Sequence, residues 1–129
     1  MEPFRYHVYI CTQDKPDEMP CCAASGGHQV LEELRSAVHE AGLHDVVQIT
    51  TCGSLGLCER GPNMIVYPEG VWYSRVQVED VAEIVREHFG ANRPVARLQS
   101  GEVAALKEEI LENKRRFLAA MTARGKDGA

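Results

Sequence analysis

Phe4-Arg5-Tyr6-His7-Val8-Tyr9-Ile10 alternates apolar and polar side chains, is rich in aromatic and β-branched types, and runs into Cys11. A period of two with these residue types predicts a β-strand ending at Cys11. Downstream, Thr12 to Gly27 holds two prolines and two glycines among polar residues and reads as a long loop. Loops of that length inside a compact domain usually carry function. Val30, Leu31, Leu34, Val38 and Ala41 then fall at helical spacing, predicting a helix from about His28 to Ala41 with Gly42 as its stop. Val46 to Thr51 reads as a second strand. A strand, a helix and a strand in close succession imply a parallel pair with a right-handed crossover, which brings Cys11 and Cys52 to the same end of neighbouring strands. The carboxyl ends of parallel strands are where such folds place their chemistry.

Cys52 to Pro62 forms a second glycine-rich loop. Met64 to Tyr67 and Val71 to Val76 are short β-runs around Pro68-Glu69-Gly70, a hairpin signal. Asp80 to Phe89 reads as a helix with Val81, Ile84, Val85 and His88 on one face and Gly90 ending it. The order β-α-β-β-β-α is an α/β arrangement, a mixed sheet flanked by helices, and no internal repeat is visible. After Asn92-Arg93-Pro94 the character changes. Ser100 is placed to cap a long helix reaching about Thr122, with Val103, Leu106, Ile110, Phe117, Leu118 and Met121 as its apolar stripe. Such a helix packs on the body, forms a dimer contact or docks a partner. Residues 125–129 are expected to fray.

The chain has 129 residues, room for one domain but not two. A hydrophobic share of 44% and a charged share of 26% exclude a disordered or fibrous protein. A formal net charge of -5 argues against a broad basic face for nucleic acid. Residues 1–100 carry 8 Lys/Arg and 14 Asp/Glu, against 6 and 5 in residues 101–129, so an acidic body precedes a slightly basic tail. An acidic body can steer a basic partner. No apolar run reaches the ~20 residues of a membrane span, and the start has no basic segment followed by an apolar one, so a cytoplasmic location is expected.

Cys11, Cys21, Cys22, Cys52 and Cys58 all lie in the first half. In a reducing compartment clustered cysteines point to metal or redox chemistry rather than disulfides. Structural zinc sites use close pairs such as C-x2-C, and none is present. Nor is there the C-x-x-C of a thioredoxin-type dithiol, since Cys21 and Cys22 are adjacent. Four thiolates from two separate loops suit a binuclear iron–sulfur centre, in which each iron takes two. The five histidines show no metal spacing; His7 in a strand and His88 on a helix face read as structural. Trp72 and Tyr73 read as hairpin or core packing. No Ser/His/Asp arrangement, phosphate loop or carboxylate pair stands out, so an enzyme is not expected.

Four segments together resemble the thioredoxin-like 2Fe-2S ferredoxins of the Shethna type. These are His7-Val8-Tyr9-Ile10-Cys11-Thr12-Gln13, Cys22 ahead of the first helix, Gly53-Ser54-Leu55-Gly56-Leu57-Cys58-Glu59-Arg60-Gly61-Pro62, and Val66-Tyr67-Pro68-Glu69-Gly70-Val71-Trp72-Tyr73. The resemblance implies a thioredoxin-like fold over residues 1–98, with 99–129 as a C-terminal helical extension. It also implies a near-surface 2Fe-2S cluster, a low-potential one-electron carrier working between a reductase and an acceptor, and often a homodimer. It carries over directly to Cys11, Cys22 and Cys58. The family's C-x3-C spacing puts Ser54 at the remaining position, whereas this chain has Cys52 two residues earlier. Thiolate is the softer ligand, and Gly53 and Gly56 can bend the loop to bring it back, which favours Cys52 over Ser54. The same glycines can offer backbone amides to cluster sulfurs. Two rival readings remain open. One is a redox or oxygen sensor in which the cluster or Cys21 controls docking through the C-terminal helix. The other is a thiol oxidoreductase using Cys21 or Cys22.

Overall fold

In a computed structural model of the chain, residues 2–12, 26–53 and 55–127 are described. The elements are β1 (Tyr6–Cys11), α1 (Gly27–Glu40), β2 (Val47–Cys52), a 3-10 turn at Cys58–Arg60, β3 (Met64–Tyr67) and β4 (Val71–Tyr73). Then come α2, which starts as one α-turn at Val81–Glu83 and runs on as a π-helix over Ile84–Phe89, and α3 (Val103–Asp127). The sheet order is β2-β1-β3-β4, with β1 parallel to β2 and both β1–β3 and β3–β4 antiparallel. The mixed α/β sheet and the parallel β1–α1–β2 unit are those the periodicity predicts.

The alternation in β1 decides which side chains meet the helices. Tyr6, Val8 and Ile10 are buried in the core with Val30, Leu31, Leu34 and Val38 of α1 and Val81, Ile84, Val85 and Phe89 of α2. Burial of those side chains, roughly 1.5–3 kcal/mol for each large one, is what holds the helices to the sheet. α1 packs on α2, so both lie on this face. The opposite face carries His7, Tyr9 and Tyr67, with the Tyr9 ring stacked on His7 at 4.5 Å and edge-on to Tyr67 at 5.7 Å.

Several boundaries differ from the sequence expectation. β1 starts at Tyr6, where pairing with Val47 begins, rather than at Phe4, and ends at Cys11 as expected. α1 ends as expected: Gly42 is left-handed at φ 70°, and the Leu43 amide donates to the Val38 carbonyl at 3.0 Å. The π-helical run of α2 ends at Phe89 with Gly90 following it as expected, but Gly90 is right-handed (φ -87°). The left-handed residue is Asn92 (φ 55°), whose amide donates to the His88 carbonyl at 3.0 Å while the Arg93 amide reaches that of Glu87 at 2.8 Å. The Asn92 side-chain oxygen is fixed by Tyr6 Oη at 2.7 Å and Arg5 Nη2 at 3.0 Å. β4 ends at Tyr73 instead of Val76, because the Ser74 amide turns away to the Leu98 carbonyl at 3.0 Å.

α3 differs most. Ser100 does not cap it; its amide donates to the Trp72 carbonyl at 2.8 Å and its hydroxyl lies 2.6 Å from Ser74 Oγ, both hydroxyls being buried. The helix starts at Val103 and runs to Asp127; of the end expected to fray, residues 128–129 lie outside the described residues. Of its expected stripe, Leu106 is buried and Ile110 half-buried, whereas Val103, Phe117, Leu118 and Met121 are exposed. Among the described residues, no helix is long and apolar enough to cross a membrane.

Candidate metal centre

Cys11 and Cys52 close β1 and β2 as register partners of a parallel pair. Neighbouring strands lie about 4.8 Å apart and paired residues share a face, so the register alone puts the two thiols side by side. Cys11 is fully buried and Cys52 half-buried. The Cys11 thiol donates to the Gly53 carbonyl at 3.1 Å, and the Thr12 amide donates to the Cys52 carbonyl at 3.3 Å, which carries the pairing one step past the strand ends.

The loop after Cys52 is folded back onto β1 by a buried asparagine. The Asn63 carbonyl accepts the Cys11 amide at 3.1 Å, and its side-chain Nδ2 donates to the Leu57 carbonyl at 2.7 Å. Its Oδ1 accepts the Ser74 hydroxyl at 2.8 Å, which obliges Ser100 to donate in the neighbouring 2.6 Å contact with Ser74. One residue thus ties the backbone of Cys11 to the residue just before Cys58. The Arg60 amide closes the 3-10 turn onto the Leu57 carbonyl at 2.9 Å. Gly56 sits at φ 79° and makes the reversal that a side chain would oppose.

Three of the four sequence-predicted ligands are therefore placed: Cys11 and Cys52 in full, and Cys58 by its backbone at the head of the 3-10 turn. Cys22, the spare Cys21 and the competing Ser54 lie outside the described residues, as does the Cys58 side chain. Among the described side chains, no three of His, Cys, Asp or Glu converge on one point. Beside Cys52, an open trough of about 610 Å³ is lined by Tyr9, Leu55, Ile65, Tyr67 and Pro68. His88 is structural, as its helix-face position suggests: buried, with Nδ1 2.7 Å from Tyr73 Oη.

No protein-family model matches the chain. It is 39% identical over 95 residues to a 2Fe-2S ferredoxin of Aquifex aeolicus, covering 71% of this chain and 86% of that one. A 2Fe-2S ferredoxin of Clostridium pasteurianum is 32% identical over 97 residues, covering 74% and 95%. The crystal structure of the thioredoxin-like [2Fe-2S] ferredoxin from Aquifex aeolicus superposes with a TM-score of 0.72 at 36% identity, covering 77% of this chain and 99% of that one. The chain belongs to the thioredoxin-like [2Fe-2S] ferredoxins. Proteins of this family carry electrons and are not enzymes. About a quarter of this ferredoxin has no counterpart in the solved relative, a length comparable to the 25 residues of α3.

The donor set suits the family's cofactor. Two cysteines in register at the strand ends, with the Cys58 backbone drawn towards Cys11 through Asn63, offer soft ligands from two separate segments. Asn63 was not legible as a site residue, because an asparagine in a loop gives no spacing signal.

Proposed function

We propose that this protein is a low-potential one-electron carrier whose [2Fe-2S] cluster is held by Cys11, Cys22, Cys52 and Cys58. The observation that supports it most is the register pairing of Cys11 with Cys52, joined to the Cys58 turn through Asn63. A cluster held by four thiolates supplies one-electron chemistry at a potential set by charge, solvent exposure and hydrogen bonds to its sulfurs. The chain's own part is to hold the thiols, keep water from Cys11, and orient the loop amides. Cys52 is the fourth ligand in this reading, since a thiolate at a fixed strand end outcompetes a serine alkoxide for iron.

A reductase and an acceptor dock on the loop side of the molecule, where Glu59 is exposed and the acidic body attracts a basic surface. A second copy of the chain covers the sheet face that presents Tyr9 and Tyr67, making a homodimer. Clustered cysteines that serve as cluster ligands suit a cytoplasmic setting.

Anaerobic purification followed by iron and sulfide analysis, the visible spectrum and EPR after dithionite tests the assignment. About two irons and two sulfides per chain with a rhombic reduced signal is the expected result. A colourless chain that also resists reconstitution with iron and sulfide overturns it. Analytical ultracentrifugation of the loaded protein tests the dimer, a monomer at micromolar concentration being the contrary result.

A further inference from the structure

α3 grips the loop that leads into Cys58. Leu106 is buried, Ile110 packs on Gly56, and Asn113 Nδ2 donates to the Gly56 carbonyl at 2.7 Å. Glu109 pairs with Arg60 Nη1 at 2.8 Å, and Arg60 Nη2 donates to the Ser100 carbonyl. Positions 106, 109, 110 and 113 share one helical face. Residues 114–122 are all exposed, so burial is confined to the first turns of the helix and concentrated on this loop, with Arg116 adding an exposed ion pair to Glu59 at 3.9 Å.

From the other side, Asn63 holds the next carbonyl, that of Leu57, at 2.7 Å. Two asparagine amides thus pin two consecutive carbonyls, Gly56 and Leu57. Neither following peptide bond is cis. In a planar trans peptide the N–H points opposite to the C=O, so fixing these carbonyls fixes the directions of the Leu57 and Cys58 amides. Backbone amides directed at cluster sulfurs set potential and stability. The steric fit is close as well: a methyl group at Gly56 would stand 3.0 Å from Ile110 Cγ2.

We propose that α3 is a clamp on the cluster loop, with Asn113 as a positioning residue that orients the Leu57 amide, beside the Cys58 amide that Asn63 orients, and so sets the spectroscopic signature, potential and lability of the bound cluster. This rests on the ligand set proposed above. The role differs from simple packing because it runs through one donor, which Asn113→Asp removes at constant shape, setting an acceptor against the Gly56 carbonyl.

The test compares the full-length, cluster-loaded wild type with Asn113→Asp, Asn113→Ala and, as a control on the exposed part of the same helix, Phe117→Ala. Both Asn113 variants are expected to keep the far-UV CD of the wild type, shift its visible CD and reduced EPR signals, change its midpoint potential, and lose iron to a chelator about 10-fold faster. Phe117→Ala is expected to match the wild type throughout. Wild-type signals, potential and iron release in Asn113→Asp overturn the clamp while leaving the ligand reading intact. Should the wild type hold no iron or sulfide, the ligand reading fails, and the clamp is decided by hydrogen exchange of the Leu57 amide. Faster exchange in Asn113→Asp supports it, and equal exchange overturns it.

Discussion

Cys11 and Cys52 stand as register partners at the ends of β1 and β2, and the Cys11 thiol donates to the carbonyl of Gly53, the residue that follows Cys52. A thiol can donate in this way and a metal-bound thiolate cannot, so in the proposed ligand set cluster binding would replace that bond with one to iron. Replacing Cys11 by Ala is expected to abolish the normal visible spectrum. Cys52→Ala is expected to do the same, and Ser54→Ala to leave iron and sulfide contents unchanged. The opposite pattern for the last two would move the fourth ligand from the strand end into the loop.

Asn63 is nearly fully buried and bonds Leu57, Ser74 and the Cys11 amide together. Asn63→Ala removes two buried side-chain hydrogen bonds, although Leu57 O keeps the Arg60 amide and Ser74 keeps Ser100. The expected loss is about 2 kcal/mol, read as a lower urea midpoint. Asn63→Asp should cost more, because it sets a buried carboxylate against the Leu57 carbonyl. If Asn63→Asp proves the milder change, the amide is not donating as described.

Gly56 combines a left-handed backbone with contact to α3. Gly56→Ala should therefore cost about 1–2 kcal/mol from the backbone alone, before the methyl meets Ile110. Adding Ile110→Ala should recover part of the steric component, so the double variant is expected to be less destabilised than the sum of the singles. Simple additivity in urea unfolding would show that the two residues do not press on each other.

The core architecture was legible because it depends on periodicity. Alternation in Tyr6 to Ile10 and helical spacing from Val30 to Val38 each fix a buried face, and Gly42 marks a turn that needs a positive φ. Cys11, Cys52 and Cys58 stood out because soft ligands cluster for a chemical reason. What remained hidden depends on long-range partners. Val71 to Val76 looks like one strand, yet Ser74 leaves it to join Asn63 and Ser100. Ser100 looks like a cap and is instead part of that buried network. The stripe of α3 suggests packing along its length, but its apolar side chains beyond Ile110 are exposed, and Asn113 gives no sign in sequence of its bond to Gly56.

His88 gives the fold a pH dependence whose sign follows from its partners. The ring is fully buried, and Tyr73 Oη, which accepts the Val95 amide at 2.9 Å, has one proton to give, to His88 Nδ1 at 2.7 Å. His88 is therefore neutral with its proton on Nε2, which finds no acceptor among the described residues. Burial lowers its pKa below the ordinary value, Glu69 opposing and Arg5 adding to the effect, while burial pushes Tyr73 up to about 12. In the unfolded chain the imidazole takes up a proton near pH 6.5 that the folded ring refuses. Stability is thus unaffected above about pH 7 and falls as pH drops below about 6.5, by at most about 1.4 kcal/mol per pH unit, until the folded pKa is reached. The exposed carboxylates Glu2 and Glu87 are held low by His7 and by Arg93, so their contribution is lost at more acid pH and does not overlap this window. His88→Asn can still accept from Tyr73 and does not titrate. Urea unfolding from pH 5.5 to 7 should give a falling stability for the wild type and a flatter profile for His88→Asn, whatever the variant's absolute loss. Parallel slopes in the two proteins would place the titrating group elsewhere.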